Sequence, residues 1–491
     1  MAYLYSDCVM GLNLQLLGPE IALGIVGILV LGVDLCVRGG DRSRLTPLVA
    51  LTGLAGCLVY SLTVLTRGDR AGFAGSVTSD AFATFFRVVF CLVTTVVILT
   101  GWDYFRRLRT GQGEVYALLL FATMGMSLLG VSSDLIMVYL SLELVSITGY
   151  VLAGYLKADR RSNEAALKYF LFGAACSAMM LYGMSLLYGA TGQTNIAAIA
   201  RDLPTVPPAL WWLALAMVLI GFGFKISMVP FHAWAPDVYE GAPTPFAAFF
   251  SAGPKLAGFA VLVRVLQTGL PGAAQGQWIP VLAALSAITM TVGNVGALRQ
   301  TNIKRMLAYS SIAHAGYLLI GVVAFTTTEI GLGALLYYAL AYAVMNLGAF
   351  GVAILVELNV GSADIPPWSG LARRAPGLAG TMAVFLLSLA GIPPTAGFFG
   401  KLYLFLAAIG TKSLWWLALV AIANSVVSLY YYANVIRFMY FGEARETAGL
   451  EVRFAAAVGV GLCLVLTLIM AVFASPFLDL VTASRQVFSG P

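Results

Sequence analysis

The sequence predicts an all-α polytopic membrane protein with about fourteen transmembrane helices, two of them broken. Three observations carry this expectation. The 491 residues are 60% hydrophobic and only 10% charged, with a mean hydropathy of +0.90, a composition no soluble globular domain has. Apolar runs close to the ~20 residues needed to cross about 30 Å of hydrocarbon recur along the chain. Finally, Lys225 and Lys401 stand inside apolar runs beside proline: Pro230 follows the first, and Pro393–Pro394 precedes the second. A lysine at bilayer depth costs roughly 3 kcal/mol on insertion scales, so such residues usually pair, face water or carry ions. A neighbouring proline breaks the helix and frees backbone groups for a polar cavity.

The first span, 14–37, has no basic region ahead of it and no small-residue cleavage site, so it reads as a retained helix rather than a signal peptide. Asp34 near its end reads as interfacial. Spans follow at 45–66, 79–101 and 114–132. The fifth, 134–156, carries Glu143 in a run otherwise free of charge, with Tyr139, Ser146 and Tyr150 on the same helical face. A carboxyl bonded for packing is one reading of Glu143; a partner for Lys225 is the other, since opposite charges in a low dielectric hold each other ionised. The sixth span, 163–189, begins with Glu164 and Lys168, an i, i+4 pair that an interfacial salt bridge explains as well as a function does. The seventh, 209–229, breaks at Pro230 and continues near 231–241, past His232, which titrates near neutrality and can bridge two lysines.

In the eighth span, 243–267, Lys255 follows Pro254 with Ser251 and Gly258 on its face, too far from either end for snorkelling to be the main reading. The ninth is 278–299. The tenth, 303–325, opens with Lys304 and Arg305, the latter an interfacial anchor, and carries His314 at mid-helix. Tyr338, Tyr342 and Asn346 form a polar stripe on the eleventh, 329–357. The twelfth, 379–409, is the second broken span. Asn424, Ser428 and Tyr431 form a stripe on the thirteenth, 414–441; both stripes suit a hydrated half-channel or polar helix contacts. The fourteenth is 452–475.

Basic residues set the orientation. The loops after odd-numbered spans carry seventeen, among them Arg38, Arg106, Arg160, Arg299, Arg373 and Arg437; the other side has five, Arg67, Arg70, Arg201, Lys412 and Arg485. The odd loops are therefore expected in the cytoplasm and both termini outside. Spans 4–8 and 9–13 form two five-helix blocks whose fourth helix is broken and carries a lysine. An odd count makes the second block enter from the opposite side, an inverted repeat. The expected division is 1–112 for three N-terminal helices, 113–268 and 269–441 for the repeats, and 442–491 for the last helix.

The chain does not look built to carry electrons. Its six cysteines (Cys8, Cys36, Cys57, Cys91, Cys176, Cys463) are scattered singly, and its two histidines cannot supply a haem array. There is no nucleotide-binding motif in a strand–helix setting, no loop long enough for a folded domain, and nucleic acid is not an expected partner.

Five stretches carry a resemblance: LSLELVSITGYVLAGY, NEAALKYFLFGA, GFGFKISMVPFHAWAPDVYEGAPTPFAAFFSAGPK (221–255), QTNIKRMLAYSSIAHAGYLL (300–319) and LAGIPPTAGFFGKLYLF (389–405). They resemble the antiporter-like membrane subunits of proton-pumping NADH–quinone oxidoreductase, respiratory complex I, across essentially the whole chain. The PDVYEGAPTP string, a lysine rather than a glutamate in the twelfth span, and a stop after the fourteenth favour the N type over the M and L types. The resemblance implies a bacterial inner-membrane location, M-, K-, J- and A-type subunits and membrane lipids as partners, and no cofactor in this chain. NADH, FMN, iron–sulfur clusters and quinone belong to partner subunits. It implies that Glu143 and Lys225 form a pair whose separation alters proton affinity, with Glu164 and Lys168 near it. It further implies that Lys255 is a central relay, that His232 connects Lys225 to Lys255, that His314 or Lys304 leads onward, and that Lys401 hands protons to the far side. A sodium/proton antiporter subunit and a quinone-binding subunit are the alternatives.

Overall fold

The computed structural model describes residues 13–37, 42–65, 70–107, 112–270, 272–325, 328, 330–411, 413–443 and 449–473. Cys8, Arg38, Arg67, Arg109, Lys412, Arg445 and Arg485, with both chain ends, lie outside the described residues. Three helices come first: α1 (Gly18–Cys36), α2 (Arg42–Leu65) and α3 (Ala81–Arg107). A first block follows with α4 (Gln112–Val131), α5 (Leu135–Ala153), α6 (Arg160–Thr191), the short α7 (Ile196–Asp202), α8 (Pro208–Ile226), α9 (Trp234–Gly241) and α10 (Thr244–Gly269). The second block holds α11 (Gly272–Ala297), α12 (Ile303–Phe325), α13 (Gly331–Val360), the one-turn α14 (Leu371–Arg374), α15 (Pro376–Ala390), α16 (Ala396–Gly410) and α17 (Trp415–Phe441); α18 (Phe454–Val472) comes last. Thirteen helices among the described residues are long and apolar enough to span a membrane, and α15 with α16 make a further crossing in two pieces. The departure from an all-helical chain is one hairpin, β1 (Arg70–Gly72) with β2 (Val77–Ser79), joined in antiparallel register Arg70↔Ser79.

Helix ends follow from backbone chemistry. The first turn of a helix leaves amide donors unpaired, and a carboxylate just before it satisfies them. Asp134 accepts from Ile136 N at 2.9 Å ahead of α5, and Asp159 from Arg161 N at 2.9 Å ahead of α6. The two breaks end on a left-handed residue, as α6 does at Gly192 and α13 at Gly361. α8 stops at Ser227 with φ +59°, a left-handed conformation that costs a residue other than glycine energy; α15 stops at Gly391 with φ +89°.

The two blocks repeat one contact pattern. In the first, α6 packs on α5 and on both halves of the broken span, α8 and α9, while α10 packs on α4 and α8. In the second, α13 packs on α12 and on both halves, α15 and α16, while α17 packs on α11 and α15. Between blocks, α10 meets α13 and α9 meets α12. Burial grades the helices. The most apolar windows of α10, α12 and α13 are 100%, 94% and 94% buried, α3 and α4 follow at 78% and 72%, and α6 and α17 reach only 33%, so the first three form the spine and α6 and α17 face outward.

Two buried arginines, one on α3 and one on α10, are paired with carboxylates. Arg87 in α3 bonds Glu20 through Nε at 2.7 Å and Nη2 at 3.0 Å, and also Ser79 Oγ and Leu16 O. Arg264 in α10 grips Asp80 at 2.9 and 3.1 Å and Gly130 O at 3.0 Å. Asp34, two residues from the end of α1, is buried in the protein, and its Oδ1 takes the Gly113 amide at the start of α4 at 3.0 Å. That amide lacks a helical acceptor, which is why a carboxylate is tolerated there.

Candidate functional site

Four buried cationic or imidazole groups lie on four helices around the spine. Lys225 occupies the last turn of α8, 1% exposed. Its Nζ donates to Ser146 Oγ at 3.0 Å, and Ser146 stands one turn beyond Glu143 on α5. Glu143 itself is half-buried and accepts from Ser177 Oγ of α6. No ion pair joins Glu143 to Lys225 here; each is held by a serine, and the two serines stand where a direct contact was expected. Gly258 of α10 lies flat against this lysine: an added Cβ would stand 3.3 Å from Lys225 Cβ and 2.8 Å from Ile226 Cγ2.

Lys255, on α10, is also 1% exposed. Its Nζ donates to Ser311 Oγ of α12 and lies 5.6 Å from the centre of the Tyr239 ring of α9, a cation–π arrangement. One turn further along α12, His314 has both ring nitrogens engaged: Nδ1 with Tyr338 Oη of α13 at 2.6 Å and Nε2 with Tyr432 Oη of α17 at 3.2 Å. Tyr432 is shared with Ser310. A further turn on, Tyr317 presents its ring to Lys401 Nζ at 4.7 Å. Ser311, His314 and Tyr317 thus fall at successive three-residue steps on α12 and connect the surroundings of Lys255 to those of Lys401. Beside them Tyr342 donates to Ser251 O at 2.9 Å and Asn346 to Ser251 Oγ at 2.6 Å, so the eleventh-span stripe turns inward.

Lys401 on α16 has no acidic partner among the described residues. It donates to Leu389 O at 3.0 Å, Ala390 O at 2.9 Å and Ser425 Oγ at 3.0 Å. The two carbonyls belong to the last turn of α15, where acceptors are left over and the helix dipole is negative. Gly391 is required by the same packing: besides its positive φ, an added Cβ would meet Lys401 Cδ at 2.9 Å. A pocket of about 230 Å³, lined by Lys401, Ser425 and apolar side chains of α16 and α17, lies beside it.

The remaining expected residues go elsewhere. His232 sits in the α8–α9 joint, half-buried, and its ring hydrogen-bonds neither Lys225 nor Lys255. Lys304 opens α12 and donates to Ala242 O at 3.0 Å, two turns away from Ser311. Glu164 and Lys168 form their ion pair at 2.7 Å, and Lys168 also bonds Asp237 at 2.6 Å. Arg305 is more than an anchor: it bonds Asp237 at 2.7 Å and Glu240 at 2.9 Å, so one ionic chain ties α6, α9 and α12. Tyr309 packs on Gly296 and lies under the Arg305 guanidinium at 5.9 Å.

Sequence reasoning missed Ser177, Ser311, Tyr239, Ser425 and Tyr432. Only Ser311 left a local signal, three residues before His314 on one helical face. The others come from separate helices and become partners only through packing.

Residues 132–428 match the family described as NADH:quinone oxidoreductase/Mrp antiporter, transmembrane. The chain is 43% identical over 479 residues to NADH-quinone oxidoreductase subunit N of Heliobacterium modesticaldum, covering 97% of this chain and 100% of that one. It is 43% identical to the same subunit of Chlorobium chlorochromatii, covering 96% and 94%. Among solved structures, a chain of respiratory complex I from Thermus thermophilus with bound aureothin superposes with a TM-score of 0.78 at 32% identity, over 94% of this chain and 98% of that one. A chain of the Mrp complex from Dietzia sp. DQ12-45-1b shares the fold, with a TM-score of 0.84 at 22% identity over 96% and 98%. The chain belongs to the NADH:quinone oxidoreductase/Mrp antiporter membrane family, in its subunit N branch.

Proposed function

We propose that this chain translocates protons as the N-type membrane subunit of an NADH:quinone oxidoreductase, driven by redox chemistry in partner subunits. Lys225, Lys255, His314 and Lys401 are its proton-carrying groups. Glu143 is the carboxylate that meets Lys225 when Ser146 and Ser177 release the two, and His232 serves the joint between the lysines. Lys304, Glu164 and Lys168 act from the ends of the spine rather than within the line. The observation that carries this reading is the α12 face, where Ser311, His314 and Tyr317 link the Lys255 and Lys401 sites through buried hydroxyl and imidazole groups. Hydroxyls and imidazole both donate and accept, which proton hopping requires, and water fills gaps longer than a hydrogen bond.

The division we infer is 1–112, 113–268, 269–441 and 442–491; the repeated contact pattern supports the two blocks in it. The cation-rich helix ends face the cytoplasm of a bacterial inner membrane, and both termini lie outside. M-, K-, J- and A-type subunits and lipids are the neighbours. NADH, FMN, iron–sulfur clusters and quinone bind those partners and not this chain. The redox-coupled reading is favoured over a sodium/proton antiporter because the subunit N relatives share 43% identity over nearly the full length.

Lys255→Arg tests the line. Arginine keeps the charge but holds its proton at any accessible pH, so it cannot relay. In assembled complex reconstituted into vesicles, proton pumping coupled to quinone reduction is expected to fall as far as in Lys255→Ala. Full pumping by the arginine variant would reduce Lys255 to a fixed charge and overturn the relay.

A further inference from the structure

Lys255 and Lys401 are buried lysines that make no ion pair among the described residues; neutral groups hold both. Lys255 belongs to the fully buried α10. Lys401 instead lines a cavity of about 230 Å³ between α16 and α17. Phe398, Leu402, Phe405, Ile422, Val426 and Leu429 give that cavity an apolar wall. Its one polar end is where Lys401 and Ser425 meet Ala390 O, each at 2.9 Å. Ile422, Val426 and Leu429 fall about one turn apart on α17, and all three are exposed. The cavity therefore opens on an outward face of a membrane-spanning helix.

Charge, depth and size narrow the ligand. An ammonium held only by neutral acceptors in apolar surroundings keeps an uncompensated charge, so the polar end suits an anion. α15 and α16, 15 residues each, make one crossing in two pieces, and Lys401 stands in the second turn of α16, close to the break. A lipid phosphate is permanently charged and stays at the membrane surface, whereas a carboxylic acid enters hydrocarbon in its neutral form. The volume lies below the roughly 300–1,000 Å³ of a site that encloses a drug-sized ligand, so it takes one end of one chain rather than a two-chain lipid.

We propose that this cavity binds the carboxyl end of a single-chain fatty acid drawn from the bilayer. The carboxylate accepts from the Lys401 ammonium in place of Ser425 Oγ, and from the Ser425 hydroxyl, which turns away from Ala390 O. Leu389 O and Ala390 O keep the other two ammonium protons. The chain leaves past Ile422, Val426 and Leu429. When a neutral acid meets a neutral Lys401, the carboxyl proton passes to Nζ; a carboxylate and an ammonium form, and net charge is unchanged. The site does not depend on the relay: it stands whether or not Lys401 carries protons in turnover.

The probe is palmitic acid bearing a diazirine midway along its chain, with its methyl ester as the uncharged control, on purified complex in lipid nanodiscs. Illumination and mass mapping are expected to place the acid on α16 and α17 severalfold more than the ester, and excess palmitic acid to displace it. Ile422→Trp fills the apolar wall; Lys401→Gln keeps the shape and removes the charge. Each variant, with full subunit content confirmed by mass, is expected to cut the labelling severalfold. Equal labelling by acid and ester, or labelling that survives either variant, overturns the site. So does an unlabelled α16–α17 in the wild-type complex, the result expected if a partner subunit covers this face. The measurement needs no turnover, so failure of the relay reading leaves it untouched.

Discussion

Replacing Arg264 with methionine removes the partner of a carboxylate that has nowhere to go. Arg264 is 4% exposed and Asp80 is fully buried; the guanidinium supplies two hydrogen bonds to Asp80 and a third to Gly130 O. Without it the Asp80 carboxylate keeps, among the described residues, the Ala83 amide at 2.7 Å, at the start of α3. Stripping one member from a buried ion pair costs about 3–5 kcal/mol, because the uncompensated charge remains. Replacing both members, Arg264→Met with Asp80→Asn, removes that charge while an asparagine can still cap α3, so most of the loss is expected to return. The assay is the heat-inactivation midpoint of detergent-purified complex for wild type, both single variants and the double. Arg264 lies nine residues beyond Lys255, on the opposite face of α10, so surviving Arg264→Met complex should pump the same number of protons per electron. Wild-type heat stability in Arg264→Met, or a double variant no better than the single, would refute the argument from the buried charge. A changed pumping ratio would refute the separation of this pair from the relay.

Two further variants address the line itself. Glu143→Gln keeps the shape and the Ser177 contact but removes the charge; coupled quinone reduction and pumping should fall severalfold, while NADH oxidation by an artificial acceptor at the partner subunits is unchanged. Equal rates in all three measurements would leave Glu143 a packing residue. Tyr432→Phe removes the hydroxyl shared by Ser310 and His314; with two buried groups losing a partner at roughly 1–3 kcal/mol each, pumping should drop more than assembly does, and normal pumping would take Tyr432 out of the path.

The broken spans were legible because proline leaves a backbone defect that any reader of the chain can see, and a lysine beside it has few reasons to be there. Pro230 and Pro393–Pro394 accordingly mark the ends of α8 and the gap before α16. The partners were not legible. Ser311 and Ser425 are ordinary helix serines until packing sets a lysine against each, and Arg264 and Asp80 are 184 positions apart, with no local pattern to join them. The choice between His314 and Lys304 was open in sequence because the resemblance offered both, and nothing local ranks them. The structure separates them by depth: His314 is ringed by tyrosines of α13 and α17, and Lys304 opens onto a polar cavity. Glu143 and Lys225 make no direct ion pair here for a similar reason, since serines one turn away or on the next helix compete for the same atoms.

Lys401 is held by the carboxyl end of a helix, and that has a mechanical meaning. An acidic side chain can be silenced by a single proton, so a lysine facing one answers to the protonation of its neighbour. The spare carbonyls of Leu389 and Ala390 have no such off state. Their pull on Lys401 changes only with distance and angle, as the half-helices on either side of Gly391 shift against each other. The second block therefore carries a lysine that responds to displacement, and the first a lysine within reach of a carboxylate that responds to charge.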